Sequence, residues 1–404
     1  MKDTTESTSH VAINAHLVSG QAGYRSAGVH QYTYNLLRHL GRDDDGLRYT
    51  VLLGEGELPP GVTLPTLRSR WPTGRAAVRV AWEQLVQPWT LRRIGADLVH
   101  GPVFIAPVVA SCPAVITIHD LSFIRFPALF RPTNRLYLTL MARLSARRAR
   151  RVIAVSAHAA AETTQLLGVP PERIDVIYHG VDPVFRPLPD DEIAAFRQRQ
   201  GVPDRFVLFL GTLEPRKNLI RLLEAFGRIY NGVVKLVLAG GKGWLYDELF
   251  ARVENLGLGE TVIFPGYVKG DDLPLWYNAA TVVAYPSLYE GFGLPVLEAQ
   301  ACGTPVLTSN VSSLPEAAGD AALMVDPYDV EALATELNRL LTDASLRHEL
   351  RERGLVHARQ FSWPRTAQET ARVYRRALGR LNCQSDPRGG KADWQSALPG
   401  GRGA

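Results

Sequence analysis

The stretch 281–309, TVVAYPSLYEGFGLPVLEAQACGTPVLTS, constrains the fold more than any other part of the chain. It begins with a β-branched apolar run, passes through a glycine-containing loop, continues as an apolar helix, and returns to a second apolar run. A strand, a short helix and a second strand in this order form a βαβ unit, which is the repeating unit of parallel sheets. A chain built on such a unit is predicted to be an α/β protein.

Two glutamates lie near the start of this helix. Glu290 precedes it in the loop, and Glu298 lies within its first turns. A helix N-terminus lined by glycines offers free backbone N–H groups and the positive end of the helix dipole, which suit a diphosphate. One carboxylate can bind the hydroxyls of a ribose and the other those of a hexose. The pattern favours a nucleotide-sugar site, and the alternative is an acidic helix N-terminus whose glycines serve only the turn.

Length and composition limit the class of protein. With 404 residues, 46% hydrophobic and 21% charged, the chain is predicted to form two globular domains. A net charge of +5 suits an anionic small ligand or membrane surface, but is too slight to indicate a nucleic-acid-binding protein. Three scattered cysteines form neither a metal motif nor a disulfide framework. Without a signal peptide or a long apolar run, the chain is predicted to be cytoplasmic.

Short apolar runs alternate with helical segments, which predicts parallel sheets with helices on both faces. The predicted strands of the first half are 11–15, 50–53, 97–100, 114–119, 152–156 and 175–179. Those of the second half are 205–211, 235–239, 261–264, 281–285, 305–308 and 322–325. A proline-rich segment, 183–189, separates the two sets. We therefore predict domains over 1–185 and 204–363, a linker over 186–203, and a disordered tail over 382–404.

Two further loops carry candidate functional residues. Arg216 and Lys217 stand at the entrance to a predicted helix, where cations oppose the helix dipole. A bound diphosphate would explain them, and two solvated surface charges are the alternative. His119 ends a predicted strand, at the edge where parallel sheets bind ligands. A functional histidine and a structurally satisfied one are equally compatible with this position.

Residues 131–151 form a basic helix. Its apolar and basic side chains are Leu136, Leu138, Leu140, Met141, Leu144, Arg143, Arg147, Arg148, Arg150 and Arg151. Such a helix can lie on anionic lipid, which would make the protein peripheral to the inner face of the plasma membrane. The alternative, which we favour slightly, is a surface helix whose arginines extend over the domain core.

Several motifs together resemble those of one enzyme family over roughly residues 10–380. They are SAGV at 26–29, IHDLSF at 118–123, HGVD at 179–182, GTLEPRKN at 211–218 and YPSLYEGFGLP at 285–295, followed by Glu298. The chain resembles the retaining group 1, family 4 glycosyltransferases, and within them the mannosyltransferase-B-like branch of bacterial polysaccharide assembly. The resemblance implies the GT-B fold, in which two Rossmann-like doubly wound domains face each other across a cleft. It also implies that the last helix, 364–381, packs back on the first domain, with Trp363 near the crossover.

The resemblance also implies roles for particular residues. Catalysis would involve Glu290, His119, Lys217 and Arg216, with Glu290 facing the transferred hexose and Glu298 holding the ribose. The implied donor-binding set is Gly28, Gly211, Thr212, Arg216, Lys217, Val268, Glu290, Gly291, Phe292, Gly293, Leu294 and Glu298. Thr212 replaces an arginine common in relatives, which puts one phosphate contact in doubt. His179 replaces a usual asparagine.

The implied reaction is transfer of a hexose, with retention of configuration and without a metal or other cofactor. The expected partners are a nucleotide sugar, with GDP-mannose favoured, and a glycan or lipid-linked glycan acceptor. A UDP- or dTDP-sugar donor remains open. So do a phosphorylase or hydrolase on the same architecture and a non-catalytic nucleotide-sugar-binding protein.

Overall fold

The computed structural model describes residues 8–17, 27–42, 45–58, 60–230, 232–241 and 246–379, apart from the side chains of 27–29 and 246. The loop 19–26 and the predicted tail, 382–404, fall outside the described residues. Within those residues the chain forms two parallel sheets, each covered by helices. Both sheets are doubly wound, as the alternation of apolar runs predicted.

Seven described strands form the first sheet, in the order β3-β2-β1-β4-β5-β6-β7. They are β1 Ser9–Asn14, β2 Leu47–Leu53, β3 Thr66–Arg68, β4 Leu98–Gly101, β5 Ala114–Ile118, β6 Arg151–Ala154 and β7 Ile174–Val176. The helices between them are α1 Ala27–His39, α2 Ala76–Ala81, α3 Gln87–Ile94, α4 Ser122–Arg125, α5 Pro132–Arg148 and α6 Ala157–Leu167. A π-helical turn, Trp82–Val86, joins α2 to α3.

The second sheet has six strands in the described part of the chain, in the order β10-β9-β8-β11-β12-β13. They are β8 Phe206–Leu210, β9 Lys235–Ala239, β10 Val262–Gly266, β11 Val282–Tyr285, β12 Val306–Ser309 and β13 Leu323–Val325. Its helices are α7 Asp190–Gln200, α8 Leu219–Ile229, α9 Tyr246–Asn255, α10 Leu273–Ala279, α11 Leu294–Ala301, α12 Leu314–Ala318, α13 Val330–Thr342 and α14 Ala344–Ala358.

The last helix, α15 Trp363–Ala377, returns to the first sheet. Its residues Trp363 and Tyr374 are buried in the same apolar core as Leu36 of α1. The Tyr374 hydroxyl also lies 2.7 Å from Nδ1 of His100, at the end of β4. We call the first sheet with α1–α6 and α15 the first lobe, and the second sheet with α7–α14 the second lobe.

The chain crosses between the lobes at two adjacent segments. Val181 and Ser362 form a β-bridge there. A Cβ at Gly180 would lie only 2.1 Å from the backbone nitrogen of Trp363, so the two segments touch at this glycine. The close approach fixes where one lobe meets the other.

The structure differs from the sequence-based assignment at three elements, and for two of them the physical cause is clear. β3 escaped prediction because it is short and all three of its side chains are exposed at the sheet edge. α14 was not predicted, and its apolar residues do not concentrate on one face. α15 ends at Ala377 rather than at 381. Among the described residues no helix is both long and apolar enough to cross a bilayer.

Candidate active site

The predicted site residues lie on loops at the carboxyl ends of strands. β8 and β11 are hydrogen-bonded neighbours, so the loops that follow them, 211–218 and 286–293, lie side by side. The first carries Arg216 and Lys217 in a 3-10 turn, and the second carries Glu290. Neighbouring strands of a parallel sheet thus bring together residues that are more than seventy positions apart in sequence.

Glu290 forms an ion pair with both cations; Glu290 and Lys217 are buried, and Arg216 is partly exposed. Oε1 of Glu290 lies 2.5 Å from Nζ of Lys217, and its Oε2 lies 3.3 Å from Nη1 of Arg216. Lys217 also donates to the Tyr285 hydroxyl at 2.6 Å, and Arg216 Nε donates to Glu214 at 2.5 Å. Nη2 of Arg216 has no hydrogen-bond partner in the described part of the protein, so one end of its guanidinium fork is free. The cluster therefore holds its charges in place and keeps donors available.

The charges in this cluster set the protonation states. Burial alone would raise the pKa of Glu290, but Lys217 and Arg216 outweigh it and lower the pKa to about 2. Burial lowers the pKa of Lys217, and Glu290 opposes that shift. Burial acts on Arg216 in the same direction, but the carboxylates of Glu290 and Glu214 raise its pKa overall. Glu290 is therefore an ionised carboxylate that already accepts two charged hydrogen bonds.

The loop around Glu290 ends at the N-terminus of α11. Gly293 precedes that helix with φ of 118°, a conformation that side-chain-bearing residues rarely adopt. In the described part of the chain, no group accepts a hydrogen bond from the backbone N–H groups of residues 292–294. Ser312 and Ser313 donate to the Glu290 carbonyl at 2.6 and 2.9 Å, which fixes the loop from behind. Free amides at a helix N-terminus are suited to an anion.

The first lobe meets this loop at His119. A Cβ on Gly291 would lie 1.9 Å from the His119 carbonyl oxygen, so only glycine permits this approach. His119 is buried, its Nε2 lies 2.8 Å from the Pro102 carbonyl, and burial lowers its pKa. Because a carbonyl can only accept, Nε2 carries the proton and Nδ1 of the neutral ring is an acceptor. The His119 backbone thus packs against Gly291, and its imidazole is neutral.

Glu298 lies apart from the ion pair. Its Oε2 accepts a hydrogen bond of 2.8 Å from the Tyr277 hydroxyl on α10. Burial raises its pKa to about 7, and Tyr277 only partly opposes the shift. Among the described residues no hydrogen bond or ion pair joins Glu298 to Arg216 or Lys217. Because the folded pKa exceeds the ordinary value of 4.5, the stability that the protonated Glu298 carboxyl contributes is fully present below that value and is lost as pH rises from there to about 7.

The other predicted residues occupy several positions. Gly211 and Thr212 follow β8, Val268 lies just after β10, and Leu294 begins α11. Gly28 lies in the first turn of α1. Phe292 was predicted to act through its backbone, and its buried ring stacks on Tyr178 at the lobe crossing. Binding roles for these residues remain predictions.

The sequence interpretation missed three residues that shape the site. Tyr285 bonds to Lys217, Tyr277 bonds to Glu298, and Glu214 bonds to Arg216. Tyr285 ends β11, and a polar side chain at a carboxyl strand end is a signal that could have identified it. Tyr277 lies on α10 and gives no such signal.

We expect Glu290→Gln to lower the free energy of unfolding by about 3 kcal/mol or more, because Lys217 would be left buried without its counter-charge. The double variant Glu290→Gln/Lys217→Met should recover most of this loss. Urea denaturation of the wild type, both single variants and the double variant measures the coupling. If the stability losses of the two single variants add up to the loss of the double variant, Glu290 and Lys217 do not form a direct, buried ion pair.

No three or more His, Cys, Asp or Glu side chains of the described residues come close enough to hold a metal ion. Metal independence itself remains a prediction.

Comparison with known proteins identifies the family. Residues 26–185 match the family model "Glycosyltransferase Family 4", and residues 190–356 match "Glycosyl transferases group 1". The chain is 36% identical over 294 residues to the O-antigen chain mannosyltransferase B of Escherichia coli, covering 72% of this chain and 77% of that protein.

Solved structures agree on the fold. Anabaena HepE, crystallised with UDP and glucose, superposes with a TM-score of 0.72 at 22% identity, covering 90% of this chain and 98% of HepE. WaaG, a glycosyltransferase of lipopolysaccharide biosynthesis, gives 0.70 at 20% identity, covering 90% of this chain and 99% of WaaG. The chain therefore belongs to the group 1, family 4 glycosyltransferases of GT-B fold, on the branch of the O-antigen mannosyltransferase B.

Proposed function

We propose that this glycosyltransferase moves mannose from GDP-mannose to a hydroxyl of a glycan or lipid-linked glycan in bacterial polysaccharide assembly. Configuration at the anomeric carbon is retained, and no metal takes part. The observation that carries the proposal is the ion-pair cluster of Glu290, Lys217 and Arg216, next to amides of α11 that have no hydrogen-bond acceptor among the described residues. The likeness to mannosyltransferase B favours mannose.

The cluster is suited to a leaving diphosphate. When the bond between C1 of the sugar and the β-phosphate oxygen breaks, negative charge grows on that oxygen. The free Nη2 of Arg216, Lys217 and the amides of 292–294 are preorganised donors that can stabilise this charge. Thr212 can supply no charge where relatives have an arginine, so Arg216 takes a larger share of this task.

The geometry also favours retention without a protein nucleophile. Glu290 already accepts hydrogen bonds from two cations, which makes its carboxylate a poor nucleophile. We infer that the acceptor oxygen attacks C1 from the side of the departing diphosphate. The acceptor proton then passes to the released diphosphate, so that GDP and the glycoside are the products. The neutral His119 ring, whose Nδ1 has no hydrogen-bond partner among the described residues, can accept a hydrogen bond from a sugar hydroxyl.

A donor panel tests the proposed function. We expect the purified protein with a mannose-containing acceptor to release nucleotide from GDP-mannose and not from UDP-glucose or dTDP-glucose. Arg216→Ala should lower kcat about 100-fold, because one set of transition-state donors is lost. Arg228→Ala, a surface arginine on α8, is the matched control. Transfer from a UDP-sugar would show that the donor is not GDP-mannose. Donor binding without transfer to any acceptor would indicate a non-catalytic protein.

Donor binding should weaken as pH falls through about 7. The ionised Glu298 can accept hydrogen bonds from both ribose hydroxyls, and burial raises the pKa of this carboxyl to about 7. The affinity for GDP-mannose, whose diphosphate diester does not titrate here, should fall by about tenfold per pH unit below that point. Isothermal titration calorimetry measures it. Glu298→Gln should bind weakly with a flat profile, and an unchanged slope in that variant would rule out Glu298 as the titrating group.

We also propose that α5 and the π-helical turn with α3 contact an anionic membrane, which would bring the enzyme to a lipid-linked acceptor. The chain contains no acidic residue between Asp120 and Glu162. Leu136 and Leu140 of α5 are 71% and 53% exposed, and Leu85 and Trp89 are 72% and 62% exposed. Leu138, Met141 and Leu144 are instead half-buried, so only part of the predicted apolar surface is free.

These exposed residues lie on one face of the first lobe. Leu91 of α3 and Ala142 of α5 share one core cluster, whereas α1 and α15 pack on the other side of the sheet. The loop between β4 and β5 contacts both the π-helical turn and α5. The Val108 N–H donates to the Gln84 side chain, and the Ala106 N–H donates to the Ser145 hydroxyl. The exposed arginines on or next to these elements are Arg92, Arg93, Arg131, Arg135, Arg143, Arg147 and Arg148. Within the described residues these arginines form no salt bridge, and apolar side chains among such cations suit anionic lipid.

Vesicle flotation tests this contact. We expect binding to phosphatidylcholine vesicles only when phosphatidylglycerol is added, and Leu136→Glu/Leu140→Glu should weaken it about tenfold or more. Val356→Glu, at a residue 61% exposed on α14 of the second lobe, is the control. Equal flotation of the α5 variant and wild type would refute the contact, and leave the transfer reaction untouched.

A further inference from the structure

One helix of the first lobe has its N-terminus satisfied from the second lobe. The first backbone N–H groups of α6 have no partner within the helix. Glu316, on α12 of the second lobe, accepts from the Ala157 N–H at 2.6 Å and from the His158 N–H at 2.8 Å. A carboxylate in this place also interacts favourably with the positive end of the helix dipole. This contact joins elements 158 positions apart in sequence.

The same carboxylate reaches the lobe crossing. The Tyr178 hydroxyl donates to Oε2 of Glu316 at 3.1 Å, and its ring stacks on Phe292. Tyr178 lies immediately before His179 and Gly180, where the chain passes from one lobe to the other. Glu316 thus bonds to α6 and to the crossing segment at once.

α6 also holds the loop that carries Glu290. Ser156, its N-cap, accepts from the Ala159 N–H and donates to the Gly291 carbonyl at 2.8 Å. Glu162, further along the helix, accepts from the Tyr289 hydroxyl at 2.5 Å. The residues on either side of Glu290 are therefore bonded to one helix of the opposite lobe.

We propose that Glu316 is a positioning residue that holds the lobes closed by capping α6, so that α6 keeps the Glu290 loop against His119. Opening the cleft must break the Glu316 bonds together with those of Ser156 and Glu162. Closure excludes water from the site and completes the set of groups that the transfer needs. This inference rests on the proposed function and adds to it the group that sets the closed state.

Glu316→Gln tests the proposal, because it keeps the shape of the side chain and removes its charge. We expect kcat for transfer to fall about tenfold or more, with a smaller change in the KM for donor. In solution scattering, the variant without ligand should have a larger radius of gyration than wild type. Saturating donor should restore most of the difference, because the donor selects the closed state.

Two further variants separate positioning from simple helix stabilisation. Tyr289→Phe removes two further cross-lobe bonds, the one donated to Glu162 and the one accepted from the Leu121 N–H, and should shift kcat and the radius in the same direction. Glu331→Gln, an exposed glutamate of the second lobe paired with Arg228, is the matched control and should change neither. A Glu316→Gln variant with a lower unfolding midpoint but wild-type kcat and radius would overturn the proposal. If no sugar transfer is found at all, the scattering result still decides whether Glu316 closes the lobes.

Discussion

The buried contact of Glu290 with Lys217 and Arg216 is the interaction on which the candidate site depends. A charge that is nine-tenths or more buried must be paired, and here one carboxylate pairs with two cations from a neighbouring loop. This requirement fixes the course of both loops above β8 and β11. Once they are fixed, Arg216 and the amides at the start of α11 lie on the two loops that follow these neighbouring strands.

A second constraint acts where the chain crosses between the lobes. His179, which departs from the family pattern, is buried among the rings of Tyr32, His119, Phe292 and Trp363, all within 5.6 Å of its own. Burial lowers its pKa well below the ordinary value, so the ring is neutral. The His179 ring thus packs with other aromatic rings where the chain crosses between the lobes. Phe292, in the loop 286–293, belongs to the same aromatic cluster and connects the crossing to the candidate site.

Much of the fold could be predicted because parallel sheets leave a strong pattern. Strands buried on both faces read as continuous apolar runs, as in 206–210 and 236–239, and their helices alternate with them. The hydrophobic pattern does not predict elements whose side chains are exposed or whose geometry is irregular. β3 is an exposed edge strand, and the π-helical turn before α3 has no pattern of its own. β1 begins two residues earlier than predicted, because its first two residues, Ser9 and His10, are polar although they are buried.

The sequence by itself determined the two-sheet α/β architecture, because the buried strands are apolar runs that alternate with helices. It also determined the loops that carry the chemistry, because adjacent residues such as Arg216 and Lys217 need no folding to be neighbours. Only the tertiary structure decided which groups pair and in which protonation state. Glu290 is ionised because cations surround it, whereas burial beside Tyr277 raises the pKa of Glu298 to about 7. Glu316 caps a helix of the opposite lobe. Each of these depends on burial and on contacts distant in sequence, which no local pattern of residues encodes.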